Sequence, residues 1–473
     1  MKILLCIPVM KGSYQASPDL GLGYLATALL KKGHEVRIID SVNLDLSYEG
    51  FRKVVEDEKP QVVGIKVFSR DIISTRECLK MVKEADEGIT TIIGGPHPST
   101  APPGESMEYF GQADYAFRGE ADFGLPMLLD KVAKRETGFD DLKEIPGLIF
   151  RHDGKVTANT QQFIQDLDSL GIAAWDLMDP RIYAKKEAFS FYVDKSPVAP
   201  IIATRGCPFE CSFCSSHLTT GRKVRYRSVR SVVDEIKLLK NKFGVKVINI
   251  VDDNIALSKK YILDFCDTLI NEGVNLEWHC AYGVRLDSLD PEIIKKMEQS
   301  GCRSMTVGIE SGNADVLKHM KRKVTLDVME SKVRMIKENS NIMVQGNFIV
   351  GYATETRETV LQTIKFAKRL RVDIAAFSPF RPTPGTPVFS EMVEKGVIDK
   401  ALWDGFTVDD VVFSPPGLSH EELERLWKRA YLEFYSQPRI IWGLLKKVRS
   451  AQQLRWITRG LFNKLFKLNR PGS

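Results

Sequence analysis

Between Lys2 and Arg118 short apolar runs alternate with longer amphipathic ones, the rhythm of strands separated by helices. Lys2–Pro8, Glu35–Asp40, Val62–Val67, Thr90–Ile93 and Asp114–Arg118 read as strands. Runs such as Val62-Val-Gly-Ile-Lys-Val are apolar on both faces, which suits strands covered on both sides by helices. Leu20–Lys32 sets Leu22, Leu25 and Leu29 at helical spacing and stops at Gly33. The pattern predicts an α/β, doubly wound, flavodoxin-like (Rossmann-type) domain.

From Pro146 to about Pro200 the periodicity weakens. A hairpin turning at Asp153-Gly154 and an extended stretch after it read as a linker wrapping between two domains. A second alternating series then begins, with strands expected at Ile201–Thr204, Lys246–Val251, Leu276–Ala281, Ser304–Ile309, Met343–Val350 and Asp373–Ser378. Helices such as Val229–Phe243 and Thr356–Leu370 separate them, so six units predict a partial (β/α)6 barrel. The expected division is 1–135 for the first domain, 136–195 for the linker, 196–400 for the barrel and 401–473 for a C-terminal helical region.

Chemistry in parallel α/β folds gathers beyond the carboxyl ends of the strands. The unusual polar residues of this chain fall there. Three cysteines follow the first barrel strand, Asp252-Asp253-Asn254 the second, and Arg285 with Asp287 the third. Glu310-Ser311-Gly312 follow the fourth, Gly351 and Glu355 the fifth, and Pro382–Pro387 the sixth.

At 473 residues the chain is too long for one core, and its 43% hydrophobic and 27% charged content describes a globular protein. It contains no apolar run of about 20 residues, as a membrane-spanning helix requires. The opening Met-Lys-Ile-Leu-Leu-Cys-Ile-Pro has no small-residue cleavage site and reads as a first strand, so a cytoplasmic location is expected. Nine of the basic residues, and no acidic one, lie between Phe434 and Ser473. Apolar stripes run through this tail at Ile440, Ile441, Leu444, Leu445 and Val448, and again at Leu454, Ile457, Leu461, Leu465 and Leu468. Two readings stay open: a basic amphipathic tail lying peripherally on an anionic inner membrane surface, or helices packed on the enzyme. Nucleic acid is not an expected partner, since the basic residues interleave with a full apolar stripe.

The segment Arg205-Gly-Cys-Pro-Phe-Glu-Cys-Ser-Phe-Cys-Ser carries the most specific chemistry. Cys207, Cys211 and Cys214 offer three soft ligands to a centre that wants four. A zinc knuckle would close the fourth position with protein, and His217 is the only nearby candidate. An iron-sulfur cluster with one unligated iron would leave that position to a substrate or cofactor. The five other cysteines have no repeated spacing and read as free buried thiols.

The spacing, with Phe213 before the last cysteine, resembles the radical S-adenosylmethionine (radical SAM) superfamily. The resemblance implies a [4Fe-4S] cluster held by Cys207, Cys211 and Cys214, at which S-adenosylmethionine is reductively cleaved to a 5′-deoxyadenosyl radical. It implies cofactor contacts from Phe213 near the adenine, Glu310 with Ser311 at the ribose, Arg285 at the methionyl carboxylate, and Asp252, Asp253 and Asn254 at the amine. No Gly-Gly-Glu follows the second strand, and Arg285 pairing with Asp287 while Glu310 caps a helix is the competing structural reading.

The first domain resembles a cobalamin-binding domain through Pro18-Asp-Leu-Gly-Leu-Gly, Ser69, Gly94-Gly95-Pro96-His97-Pro98 and Arg118-Gly119-Glu120. Ser69, Gly94, Gly95, Gly119 and Glu120 become candidate cofactor residues. No Asp-x-His-x-x-Gly follows the first strand, so the cobalt would lack a histidine lower ligand, and His97 reads as structural. The alternative is a domain without cobalamin that serves as a substrate lid. Together the resemblances point to the cobalamin-binding radical SAM enzymes, among them the anaerobic magnesium-protoporphyrin monomethyl ester cyclase and hopanoid-modifying enzymes. They imply methyl transfer to an unactivated carbon of an apolar or lipid-like small molecule, with a reducing donor such as flavodoxin or ferredoxin. Radical cyclisation or rearrangement without methyl transfer, and a non-catalytic iron-sulfur sensor, are the alternatives.

Overall fold

The computed structural model describes residues 1–10, 17–183, 195–398 and 412–447. Strands β1 (Lys2–Ile7), β2 (Glu35–Asp40), β3 (Val62–Lys66), β4 (Thr90–Gly94) and β5 (Tyr115–Phe117) form a parallel sheet in the order β2-β1-β3-β4-β5. This is the flavodoxin-like order, which opens a crevice at the carboxyl ends of β1 and β3. Helix Leu20–Lys31 starts where Asp19 accepts the Leu22 amide at 3.0 Å and is followed by Gly33 at φ +79°.

The hairpin expected inside the linker belongs to this sheet. β6 (Leu148–His152) and β7 (Lys155–Ala158) turn on Asp153-Gly154 and extend the sheet antiparallel from β5. Without them the edge of β5 would expose unpaired backbone groups. The described stretch after the hairpin straps the domains together. Thr27 Oγ1 donates to Ile172 O at 2.7 Å, and Trp175 Nε1 donates to Glu235 of the barrel at 2.7 Å.

The second sheet comprises β8 (Val198–Ile201), β11 (Val247–Ile250), β12 (Glu277–Val284), β13 (Cys302–Glu310), β14 (Met343–Val350) and β15 (Ile374–Pro379). All are parallel and adjacent in chain order, which makes the open six-stranded barrel the sequence pattern predicts. Its first strand lies earlier than Ile201–Thr204. Pro200 has no amide to donate, yet β8 is an edge strand and accommodates it. The chain then leaves the sheet, and β9 (Thr204–Arg205) pairs antiparallel with β10 (Arg225–Tyr226), so that a short ribbon brackets the cysteine loop.

At the other edge, helix His420–Tyr435 covers β15. Trp427 Nε1 and Tyr431 OH donate to Phe377 O, the Phe377 amide donates to Tyr431 OH, and Tyr435 OH donates to Ala375 O. These aromatic tips satisfy the backbone groups that a seventh strand would otherwise take. Helix Pro438–Lys447 follows, with Ile440 buried and Ile441, Trp442 and Leu445 exposed. The second apolar stripe of the tail lies outside the described residues. No helix among the described residues is long and apolar enough to cross a membrane.

Candidate active site between the two domains

The cysteine loop joins β9 to the short helix Ser216–Thr220 at the barrel mouth. Cys207, Cys211 and Cys214 are half-buried and free of disulfides. Burial raises the Cys207 thiol and pushes Cys214 up to about 11, so thiolates here need a nearby cation. Among the described residues no three Cys, His, Asp or Glu side chains gather as ligands of a single ion. The loop is braced from several sides. Arg285 lies 3.7 Å over the Phe209 ring and donates in bidentate fashion to Asp287 at 2.9 and 2.7 Å. Its charge is thus shared between Asp287 and an aromatic face of the cysteine loop.

The Asp252-Asp253-Asn254 run divides into three tasks. Asp252 is buried and accepts the Ala203 amide and the Thr204 hydroxyl, both at 2.8 Å, which fixes the exit from β8; burial pushes its carboxyl up to about 7. Asp253 accepts from Ser216 and Thr220 and so ties down the helix after the cysteines. Asn254 donates to Ser288 Oγ at 3.3 Å, and its buried Oδ1 takes no hydrogen bond.

β13 ends in a cradle. Glu310 adopts φ +67°, a left-handed conformation that costs a non-glycine residue about 1–2 kcal/mol, and this turns its carboxyl back over Gly308. Arg322 approaches Glu310 at 3.9 Å, lies 3.7 Å from Cys211 Sγ, and donates to Gly308 O at 2.5 Å. Burial raises the Glu310 carboxyl, opposed by the Arg322 charge. The Arg322 Nε is buried without an acceptor. Carboxylate and guanidinium therefore face one another too far apart to hydrogen bond, with capacity left for a ligand that carries hydroxyls and a carboxylate. Arg322 carried no signal in the sequence: it sits in Lys321-Arg-Lys323, which reads as a solvated charge run.

Other candidates support the rim from behind. Ser311 is fully buried against Thr363 Oγ1 at 3.1 Å. Glu355 accepts the Gly351 and Tyr352 amides at 2.7 and 3.0 Å and shapes the turn after β14. Phe213 is partly buried against the barrel core.

A cavity of about 590 Å³ runs from the carboxyl ends of β3 and β4 to the barrel mouth. Gly94, Gly95, Gly119 and Glu120 line it from the first domain, and Asp252, Asp253 and Tyr282 from the barrel. Gly95, at φ +99°, permits the sharp turn there: a Cβ would stand 3.0 Å from Lys66 Cγ. Ser69 does not line the cavity; its hydroxyl meets the Nδ1 of His97 at 3.2 Å. Burial lowers His97 to about 4, and the neutral ring packs edge-on to Phe110, a structural role. Glu120 is held in a buried ion cluster, accepting Arg225 at 2.8 and 2.9 Å beside Arg205 at 3.4 Å. Arg205 also reaches Asp122 at 3.2 Å. Glu120 is therefore a latch between domains at the cavity wall. Tyr282 was not anticipated; it projects from β12 into the cavity with 74% of its surface exposed.

A model of the radical SAM superfamily matches residues 201–367, and one of the B12 binding domain matches residues 8–129. An uncharacterized methyltransferase of Pyrococcus horikoshii is 30% identical over 447 residues, which cover 93% of this chain and 94% of that protein. The chain belongs to the B12-binding radical SAM family. The anaerobic magnesium-protoporphyrin IX monomethyl ester cyclase of Rubrivivax gelatinosus is 28% identical over 387 residues, 80% of this chain and 67% of that one. The fold is shared with the radical SAM methyltransferase TsrM from Kitasatospora setae, whose structure has cobalamin and a [4Fe-4S] cluster bound; the TM-score is 0.69 at 19% identity, covering 98% of both chains. The protein is a radical SAM enzyme whose cofactors are a [4Fe-4S] cluster, S-adenosylmethionine and cobalamin. The residues present fit these groups: three unpaired thiols beside a cation, the open acceptors and donors of Asn254, Glu310 and Arg322, and a glycine-walled cavity reaching both domains.

Proposed function

We propose that this radical SAM enzyme methylates an unactivated carbon of an apolar small molecule. The observation that carries the proposal is that a single cavity joins the glycine loops of the B12 domain to Asp252 and Asp253 beside the cysteine loop. When bound, S-adenosylmethionine at a reduced cluster supplies hydrogen abstraction and cobalamin supplies a methyl carrier. Cys207, Cys211 and Cys214 hold the cluster. Arg322 offsets its negative charge and pairs with the methionyl carboxylate, Glu310 accepts the ribose hydroxyls, and the Asn254 Oδ1 accepts from the amine. Arg285 acts through Phe209 and keeps the loop in place. Asp252 and Asp253 fix the geometry of the two segments flanking the cysteines. Tyr282 offers a phenol to whatever lies in the gap between the domains.

Methyl-labelled S-adenosylmethionine tests the proposal. Incubated anaerobically with the cobalamin-loaded protein, reductant and an apolar extract of the source cells as methyl acceptor, it should pass label into an extractable product. Retention of all label, with 5′-deoxyadenosine still formed, would favour the cyclase-like reading that the relative from Rubrivivax gelatinosus supports. The apolar character of the substrate rests on helix Pro438–Lys447, where Ile441, Trp442 and Leu445 are exposed and Lys446 lies 5.1 Å over the Trp442 ring. Such a face suits the surface of an anionic bilayer. Sedimentation with anionic vesicles should carry down the full chain and not a Trp442→Asp/Leu445→Asp variant.

A further inference from the structure

Lys318, Lys321 and Lys323 stand exposed on the segment behind the cysteine loop and form no ion pairs among the described residues. This segment touches the loop directly. Ser212 donates its amide to Met320 O at 3.1 Å and its hydroxyl to His319 O at 3.0 Å, and Arg322 lies 3.7 Å from Cys211 Sγ. Ser212 also floors an outward depression of about 490 Å³, edged by Lys318, Lys321 and His319. Its acidic residues are Asp315 and Glu391, and Glu391 is already engaged by Lys395 at 2.6 Å and His319 at 3.3 Å. None of these residues lines the interdomain cavity, so the depression stays accessible when that cavity is filled.

We propose that this depression, together with the lysine-rich segment Lys318–Lys323 at its edge, is the docking surface for a small acidic one-electron carrier protein of the flavodoxin or ferredoxin class. The inference rests on the proposed function, in which the cluster gains one electron per cleavage event while the carrier is oxidised by one. Lys321 and Lys323 flank Arg322, which lies 3.7 Å from Cys211 Sγ, so the path from this surface to the cysteine loop is short. Unpaired lysines attract an acidic partner over a distance that salt shortens.

The test uses the full chain with reconstituted cluster and a bacterial flavodoxin as probe. Flavodoxin binding should weaken about tenfold or more in the triple variant Lys318→Glu/Lys321→Glu/Lys323→Glu, with a matching fall in flavodoxin-driven 5′-deoxyadenosine formation. Dithionite-driven formation should stay at the wild-type rate. Raising salt from about 50 to 300 mM should weaken flavodoxin binding by the wild type several-fold. Unchanged binding in the variant, or salt-independent binding by the wild type, overturns the docking surface. Loss of dithionite-driven cleavage in the wild type would count against the proposed function instead, while the binding measurement still decides the surface.

Discussion

Gly308→Ala separates a ligand cradle from a structural ion pair. An added Cβ would stand 2.4 Å from Glu310 Oε1 and 3.1 Å from Arg322 Nη2. Both neighbours are the ends of flexible side chains, so the carboxylate retreats by about 1 Å and leaves hydrogen-bonding range of a bound ribose. Stability should change little. Alanine in place of glycine restricts the unfolded chain and contributes about 0.4–1 kcal/mol, which offsets a local repacking cost of about 1 kcal/mol or slightly more. A hydrogen bond to a charged group contributes about 1.5–3 kcal/mol, so S-adenosylmethionine affinity should fall about 10- to 150-fold. Anaerobic titration calorimetry on the reconstituted protein, with thermal unfolding in parallel, reads both quantities. Unchanged affinity with an unchanged midpoint would refute the assignment of Glu310 and Arg322 to the ligand.

Further outcomes follow from the same geometry. Arg225→Ala leaves Glu120 buried without its bidentate partner, at a cost of about 3–5 kcal/mol; calorimetry should show a clearly lowered first transition, and an unmoved one would contradict the latch. Asp252, raised by burial to about 7 from 3.8, keeps its proton in the fold where the unfolded chain has lost it, so its stabilising contribution is full below the unfolded value and lost as pH rises through about 7. Asp252→Asn should therefore flatten the fall in melting temperature between about pH 4 and 7 relative to wild type, and parallel profiles would count against it. Cys214→Ala should abolish cluster absorbance and 5′-deoxyadenosine formation together, since two thiols cannot hold the cluster; retained cluster would point to another ligand.

Much of the architecture was legible because periodicity reports burial directly. Helix Val229–Phe243 is found as expected, capped by Ser228 and ended by Gly244 at φ +65°. The cysteine spacing was equally plain, since three soft ligands in eight residues have few other uses. Less visible was anything set by long-range pairing. The Asp153-Gly154 hairpin announced its turn but not the sheet it would join, and β8 was misplaced because an edge strand tolerates the proline that looked like a boundary. Charged residues were hardest to place. Glu120 reads like a ligand residue until Arg205 and Arg225, distant in sequence, surround it. Arg322 reads like solvated surface until the turn after helix Ala314–His319 brings it against Cys211.

The most direct measurement of the central claim takes the full chain, reconstituted anaerobically with iron and sulfide and loaded with cobalamin, and follows S-adenosylmethionine after addition of dithionite. The account predicts bound corrinoid in the visible spectrum and 5′-deoxyadenosine formed only in the reduced sample. A preparation that binds zinc at the three cysteines, or leaves S-adenosylmethionine intact when reduced, would contradict it.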